Sequence, residues 1–536
     1  MMKLPSTVHR PPTTVKPQRQ PSTIPAMRTD FESSVSGSYS FSDPSIDLAR
    51  AVREDEVFAN LGLRIPLRMM TRHGLIAGST GTGKTRTLQL IAEGLSRNGV
   101  PTFISDVKGD VAGMARPGEP NEKILDRAAK LGVEYKPEAF PVEFFSLTGS
   151  KGTQIRATVS SFGPILLGKV LDLTETQQSV LAMVFKYCDD RQLPLLDFKD
   201  LREVLNYLGD EGKAELKEYG AMSSATVGVL IRKMVELDQQ GAERFFGEPE
   251  LDINDLLRVD PSGRGLVNIL TLSDVQDKPR LFSTFLMWLL GQFYYDLPEV
   301  GDLDKPKLVF FFDEAHLLFE DAPSALVDNI QLVARLIRSK GIGVFFITQT
   351  PKDVDEGVLS QLGNRVQHAV RAFTPTDAKN LRATASTFPK SEFYDIDETL
   401  TSLGIGEALI TVLDPKGVPT QAIAGRILPP VSWMSTLTPE EYQRHLATPV
   451  AGKYSTAVDR ESAHEMIRAR LAKAQVEAPV DEGRSPRASS QRSGGKRDKS
   501  VVEEVLGSRM AQNVARQATR TFTQQVLRGI FGMLKR

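Results

Sequence analysis

The chain has a single cysteine, Cys188, among 536 residues. One thiol closes no internal disulfide and builds no cysteine-based metal site, so a reducing compartment fits. Net charge is also nearly missing: 66 Lys and Arg against 67 Asp and Glu leave −1. That excludes a molecule whose whole surface is basic, and any nucleic-acid contact has to be a local patch. The six histidines show no metal-ligand spacing, and His73 and His368 read as structural. A bilayer-spanning run is absent too. The most apolar stretch, Leu281 to Tyr295 (LFSTFLMWLLGQFYY), has about 15 residues where roughly 20 are needed, and it reads as a buried helix. The N-terminus lacks the apolar segment of a secretory signal. The expectation is a soluble, cytoplasmic protein with room for a large core.

What is present is organised in blocks. Residues 1–44 are rich in Pro, Ser and Thr (PPTTVKPQRQPSTIP), a composition expected to stay disordered. Over 45–435, continuous apolar runs alternate with helical patterns. The runs are GLIAG (74–78), PTFIS (101–105), GLVNIL (265–270), LVFFF (308–312), GVFFIT (343–348), VQHAVRA (366–372) and EALITVL (407–413). Strands apolar on both faces belong to a mainly parallel sheet covered by helices, an α/β fold. Residues 150–260 read as a helical insert, with Thr174 and Gln177 spaced as a capping box. Residues 436–500 turn charged, then Ser-, Gly- and Arg-rich (GRSPRASSQRSGGKRDK), and read as a flexible linker. Over 501–536, Leu506, Met510, Val514, Phe522, Val526, Ile530 and Leu534 recur mostly in steps of four beside Arg509, Arg516, Arg520 and Arg528. That pattern predicts a basic amphipathic helix.

Residues 78–85, GSTGTGKT, match G-x-x-x-x-G-K-[ST] between an expected strand and an expected helix. In such a loop Gly78, Ser79, Thr80, Gly81, Thr82 and Gly83 curl the backbone so that its amides face phosphate oxygens, and the helix N-terminus adds partial positive charge. Lys84 is placed for the β- and γ-phosphates of ATP, and Thr85 for Mg²⁺. The run Leu308–Phe312 ends on Asp313 and Glu314, a metal-organising acid followed by a candidate base for water. The strand GVFFIT ends at Gln349, a polar tip suited to sense the γ-phosphate. Arg338 and Arg365 are candidates for neutralising transition-state charge, from the same subunit or a neighbour.

Taken together, HGLIAGSTGTGKT, FISDVKGD, KPKLVFFFDEAHLLF, LIRSKGIGVFFITQTP, VLSQLGNRVQHAVRAFTP and LGIGEALI resemble the HerA/FtsK group of ATPases, and more closely the YjgR branch of HerA-like proteins. The resemblance implies a RecA-like P-loop core that assembles as a homo-hexameric ring and moves duplex DNA through its centre, gripping phosphates without strong sequence preference. It implies roles for Lys84, Thr85, Asp313, Glu314 and Gln349 as above, places Arg338 where the group has an arginine, and matches Asp106 and Lys108 to an Asp-x-Lys-Gly segment. HerA proper carries an N-terminal barrel that docks on a nuclease. Only some 70 residues precede the phosphate-loop strand here, which leaves a nuclease partner unsupported. The letters DEAH at 313–316 do not indicate a DEAH helicase, because one phosphate-loop core stands alone with no arginine-rich second lobe. Two other readings stand beside DNA translocation: a motor acting on proteins or a membrane-associated machine, and a nucleotide-regulated scaffold docking by its C-terminal helix on membrane or partner.

Overall fold

The computed structural model describes residues 23–220, 222–319 and 324–477. It divides into a unit covering residues 1–474 and a second covering 475–536. The helix expected over 501–536 and residues 478–500 of the linker expected over 436–500 lie outside the described residues.

The strands are β1 (Ser45–Arg53), β2 (Glu56–Pro66), β3 (Gly74–Ala77), β4 (Thr102–Asp106), β5 (Val142–Ser146), β6 (Thr153–Gln154), β7 (Val267–Thr271), β8 (Leu308–Phe312), β9 (Ile342–Thr348), β10 (Asn364–His368), β11 (Glu407–Thr411) and β12 (Ile423–Ile427). They form one 12-stranded sheet in the order β2-β1-β12-β11-β10-β3-β9-β8-β4-β7-β5-β6. Everything from β10 to β6 pairs in parallel. The four strands beyond β10 run antiparallel to their neighbours. Each apolar run read from the sequence is a strand of this sheet, and β1, β2, β5, β6 and β12 add to them.

Alternation along the strands feeds two cores. Leu75, Phe103, Phe310, Phe312 and Phe346 face one side, where they meet the helical insert. Ile76, Ile104, Phe311, Phe345 and Ile347 face the other, against Leu88, Ile91 and Leu95 of the helix Lys84–Arg97. The run Leu281 to Tyr295 lies on the helix Pro279–Asp296, with Leu281, Phe285, Trp288 and Phe293 fully buried. No helix among the described residues is long and apolar enough to cross a membrane.

Two expectations of disorder need correction. Within 1–44, Thr23–Tyr39 is a helix whose Phe31, Val35 and Tyr39 are buried. Those residues repeat at helical spacing among serines and glycine, so tertiary burial and not local propensity fixes the helix. Tyr39 Oη lies 2.8 Å from the carbonyls of both Ile410 and Gln421, which anchors the helix end to the sheet. Within 436–500, Pro439–Arg444, Pro449–Tyr454 and Ala463–Glu477 are helical. Tyr442 packs on Phe144 with ring centroids 4.4 Å apart, Tyr454 is buried, and its hydroxyl donates to Asp255. Charged residues between sparse aromatic anchors hid that order.

Candidate active site

The phosphate loop leaves the C-terminal end of β3 between its parallel neighbours β10 and β9. Both pin it: the Gly78 amide donates to the Thr348 carbonyl at 3.3 Å and the Ser79 amide to Ala369 at 2.9 Å. Gly78, Gly81 and Gly83 hold φ values of 149, 78 and 119°, where a Cβ is strained. At Gly78 space forbids one as well, since a Cβ would sit 2.5 Å from His368 Cβ. Gly83 then caps the helix Lys84–Arg97 without any side-chain acceptor, which leaves first-turn amides available to an anion. Lys84 Nζ lies over the loop, donating to the Gly78 carbonyl at 2.7 Å and to Ser79 at 3.3 Å. Burial lowers its proton affinity, and the charges of Glu314 and Asp313 oppose that.

The acids arrive from β8, two strands away across β9. Asp313 is buried, and its amide donates to Ser105 Oγ at 3.1 Å. Burial, then the charges of Glu314 and Asp106, push its pKa up to about 7. Glu314 is also buried and takes a left-handed conformation, φ 49° and ψ 52°. Its Oε1 accepts from Lys108 Nζ at 2.5 Å. Its Oε2 lies 3.5 Å from His316 Nδ1 and has no hydrogen-bond partner among the described residues. Gln349, exposed just past β9, lines a cavity of 710 Å³ with His316, Thr350 and Lys352.

These residues suit a magnesium nucleotide. No group of three or more His, Cys, Asp or Glu side chains placed to hold a metal ion occurs among the described residues. One buried acid opposite a loop threonine is what Mg²⁺ needs when phosphates and water complete its shell. Asp313 and Thr85 would hold it, and charge neutralisation is the chemistry it would supply.

Lys84, Thr85, Asp313, Glu314 and Gln349 therefore share one edge of the sheet, at the ends of β3, β8 and β9. Asp106 is nearby but committed to its own loop, accepting from the Gly109 amide at 2.7 Å and the Val111 amide at 3.0 Å. Neither arginine reaches this edge in its own chain. Arg338 precedes β9, the opposite end from the site, about 20 Å away for a seven-residue strand. Its neighbours there are Arg72 and Asp302. The Arg365 side chain is spent on backbone carbonyls, Leu362 at 3.3 Å and Thr387 at 3.2 Å. Strand direction decides this: Arg338 precedes β9 and Arg365 stands near the start of β10, whereas the phosphate loop follows the end of β3.

Sequence reasoning missed a second layer. His368 Nδ1 donates to the Glu407 carbonyl at 2.8 Å, which leaves Nε2 to accept from Thr87 Oγ1 at 2.8 Å. It backs the phosphate loop from β10, and burial depresses its pKa to about 4. Arg127 donates to the carbonyls of Gly406 (2.7 Å) and Ile427 (2.9 Å). Beside them a 530 Å³ cavity opens at Gly83, lined by Arg86, Ile405, Pro430 and Met434. No motif marks these contacts, because all but the His368–Glu407 bond join residues some 280 to 300 positions apart.

The family model for the helicase HerA-like C-terminal domain matches residues 52–536. The chain belongs to this HerA-like family. It is 22% identical over 366 residues to the DNA double-strand break repair helicase HerA of Sulfolobus acidocaldarius, covering 66% of this chain and 64% of the relative. It is 25% identical over 358 residues to the protein of the same name from Saccharolobus solfataricus, with the same coverage. The HerA-like chain thus spans 64% of the length of these curated relatives. Among solved structures, the bacterial conjugative coupling protein TrwB lacking its first 70 residues aligns at a TM-score of 0.46 and 14% identity, over 76% of this chain and 94% of the other. VirB4 of Thermoanaerobacter pseudethanolicus aligns at 0.43 and 14%, over 75% and 99%. The HerA-like assignment rests on the family match, and the P-loop ATPase architecture on the sheet and site described above.

Proposed function

We propose that this HerA-like ATPase hydrolyses Mg²⁺-ATP to translocate or remodel duplex DNA as a homo-hexameric ring, and that it stands in the YjgR branch. One observation carries the catalytic part: the phosphate loop, the Asp313–Glu314 pair and Gln349 meet at a single sheet edge, with Glu314 Oε2 buried and without a hydrogen-bond partner among the described residues. A carboxylate oxygen in that position has a lone pair free for a water proton.

The geometry supports the following division of labour. Loop amides and Lys84 bind and orient the β- and γ-phosphates, and Thr85 and Asp313 would hold Mg²⁺, which would supply charge neutralisation there. Glu314 takes the proton of the attacking water, and Gln349 orients that water from the strand tip. The cavity beside Gly83, with Ile405, Pro430 and Met434 as apolar walls, is the space we assign to the nucleoside. Since Arg338 and Arg365 do not reach their own site, either of them would act in the site of a neighbouring copy. Such head-to-tail supply closes into a ring when the rotation permits. DNA as the track is supported by the HerA relatives, named as DNA double-strand break repair helicases, and by exposed Arg371, Lys379 and Arg382 following β10.

The test is ATP hydrolysis with and without duplex DNA, alongside Glu314→Gln. The expected result is DNA-stimulated turnover that falls at least 100-fold in the variant while nucleotide still binds. No stimulation by any nucleic acid defeats the translocase reading, and intact hydrolysis in Glu314→Gln defeats the catalytic assignment.

A further inference from the structure

Lys108 is unaccounted for by the division of labour above. Its ammonium is 2.5 Å from Glu314 Oε1, so the base that should act on water is held by a cation of the same chain. The two partners are unequally fixed. The Glu314 side chain is 10% exposed and that of Lys108 50%, so the lysine is the one able to leave.

The backbone beneath Lys108 is held on three sides. Asp106 accepts the Gly109 and Val111 amides. Gln276 Nε2 donates to the Val107 carbonyl at 2.6 Å. Gly113 lies so close to the Trp433 and Ser435 carbonyls that a Cβ there would be 2.3 Å from each. Motion of the ammonium is therefore a side-chain motion about a fixed base. Lys84 and Lys108 both feel Asp313 and Glu314, two cations beside two acids. A terminal phosphate arriving at Lys84 brings extra negative charge and three acceptor oxygens, against the single carboxylate oxygen that Lys108 now engages.

We propose that Lys108 is a γ-phosphate-responsive latch on Glu314: paired with the carboxylate when no triphosphate is bound, and drawn to the γ-phosphate when one arrives, which frees Oε1. A diphosphate offers no terminal group there, and the latch stays shut. Lys108 is a positioning residue for Glu314 and a selector of triphosphate over diphosphate. The inference rests on the reading of this edge as an ATP site.

Equilibrium binding of a non-hydrolysable ATP analogue and of ADP, both with Mg²⁺, tests it without turnover. Lys108→Met weakens the analogue at least tenfold and leaves ADP within twofold. Glu314→Gln, which removes the rival negative charge, tightens the analogue at least threefold. That gain disappears in the double variant, and Lys108→Arg keeps the triphosphate preference. Additive effects of the two substitutions, or equal weakening of analogue and ADP by Lys108→Met, would overturn the latch alone. Failure of the unsubstituted protein to bind the analogue overturns the proposed function with it.

Discussion

His368 gives the most quantitative prediction. It is fully buried behind the phosphate loop, and its pKa falls from 6.5 to about 4 because burial disfavours the imidazolium. The unfolded chain then binds more protons than the folded one between those values. Stability from this group is complete above pH 6.5 and is lost as the pH falls toward 4. Across pH 7 to pH 5 the linkage integral gives a loss of about 2 kcal/mol for one such histidine. Buried acids whose pKa is raised, Glu93, Asp106 and Asp313, work in the opposite direction, so the total for the protein is not the measure. The difference between protein and variant isolates the histidine. His368→Gln keeps one donor for the Glu407 carbonyl and one acceptor for Thr87, and it does not titrate. Urea unfolding at pH 7 and pH 5 should show the variant losing about 2 kcal/mol less than the unsubstituted protein over that interval. An identical loss in both would refute the argument, because it would mean that His368 is protonated in the folded state at no cost.

Other expectations follow from single contacts. Gly78→Ala, with φ at 149° and a Cβ 2.5 Å from His368, should abolish nucleotide binding with the fold retained, read by calorimetry and circular dichroism. Phe31→Ala removes a fully buried ring from the N-terminal helix and should cost about 3–5 kcal/mol, with faster proteolysis near residues 23–39 as the local readout. Asp106→Ala orphans two amides of the Lys108 loop and should cost about 2–4 kcal/mol. It should also lower turnover while leaving ADP affinity nearly unchanged. His73, buried with its pKa lowered to about 4, should behave in the pH 7 to pH 5 comparison as His368 does.

The parallel strands from β10 to β7 and the phosphate loop were legible in the sequence for a physical reason. A strand buried on both faces leaves an unbroken apolar run, and a phosphate loop needs glycine at positions no other residue fills. The antiparallel strands β12, β1 and β2 were harder to see. β1 and β2 carry Asp47, Arg50, Glu56 and Arg64 among their apolar residues, and their register shifts at bulges, which breaks the alternation. The helix Thr23–Tyr39 was hidden because three aromatic and aliphatic anchors hold it against a composition that otherwise favours disorder. In the site, the residue types at strand ends were readable. The Lys108–Glu314 and His368–Thr87 contacts were not, since they join elements that only the finished sheet brings together.

The order of strands also sets a schedule for synthesis. β3, which carries the phosphate loop, lies between β9 and β10, which follow it by more than 260 residues. Until both have emerged from the ribosome, β3 has no neighbour on either side and the loop has nothing to pin it. β4 likewise waits for β7 and β8. Growing chains therefore expose apolar strand edges for most of their synthesis, the condition under which chaperones are needed and edge-to-edge association competes with folding. ATP cannot act as a folding ligand for the nascent chain until residue 368 or so has been made. A nonsense truncation before β10 should accordingly yield aggregated protein and not a smaller ATPase.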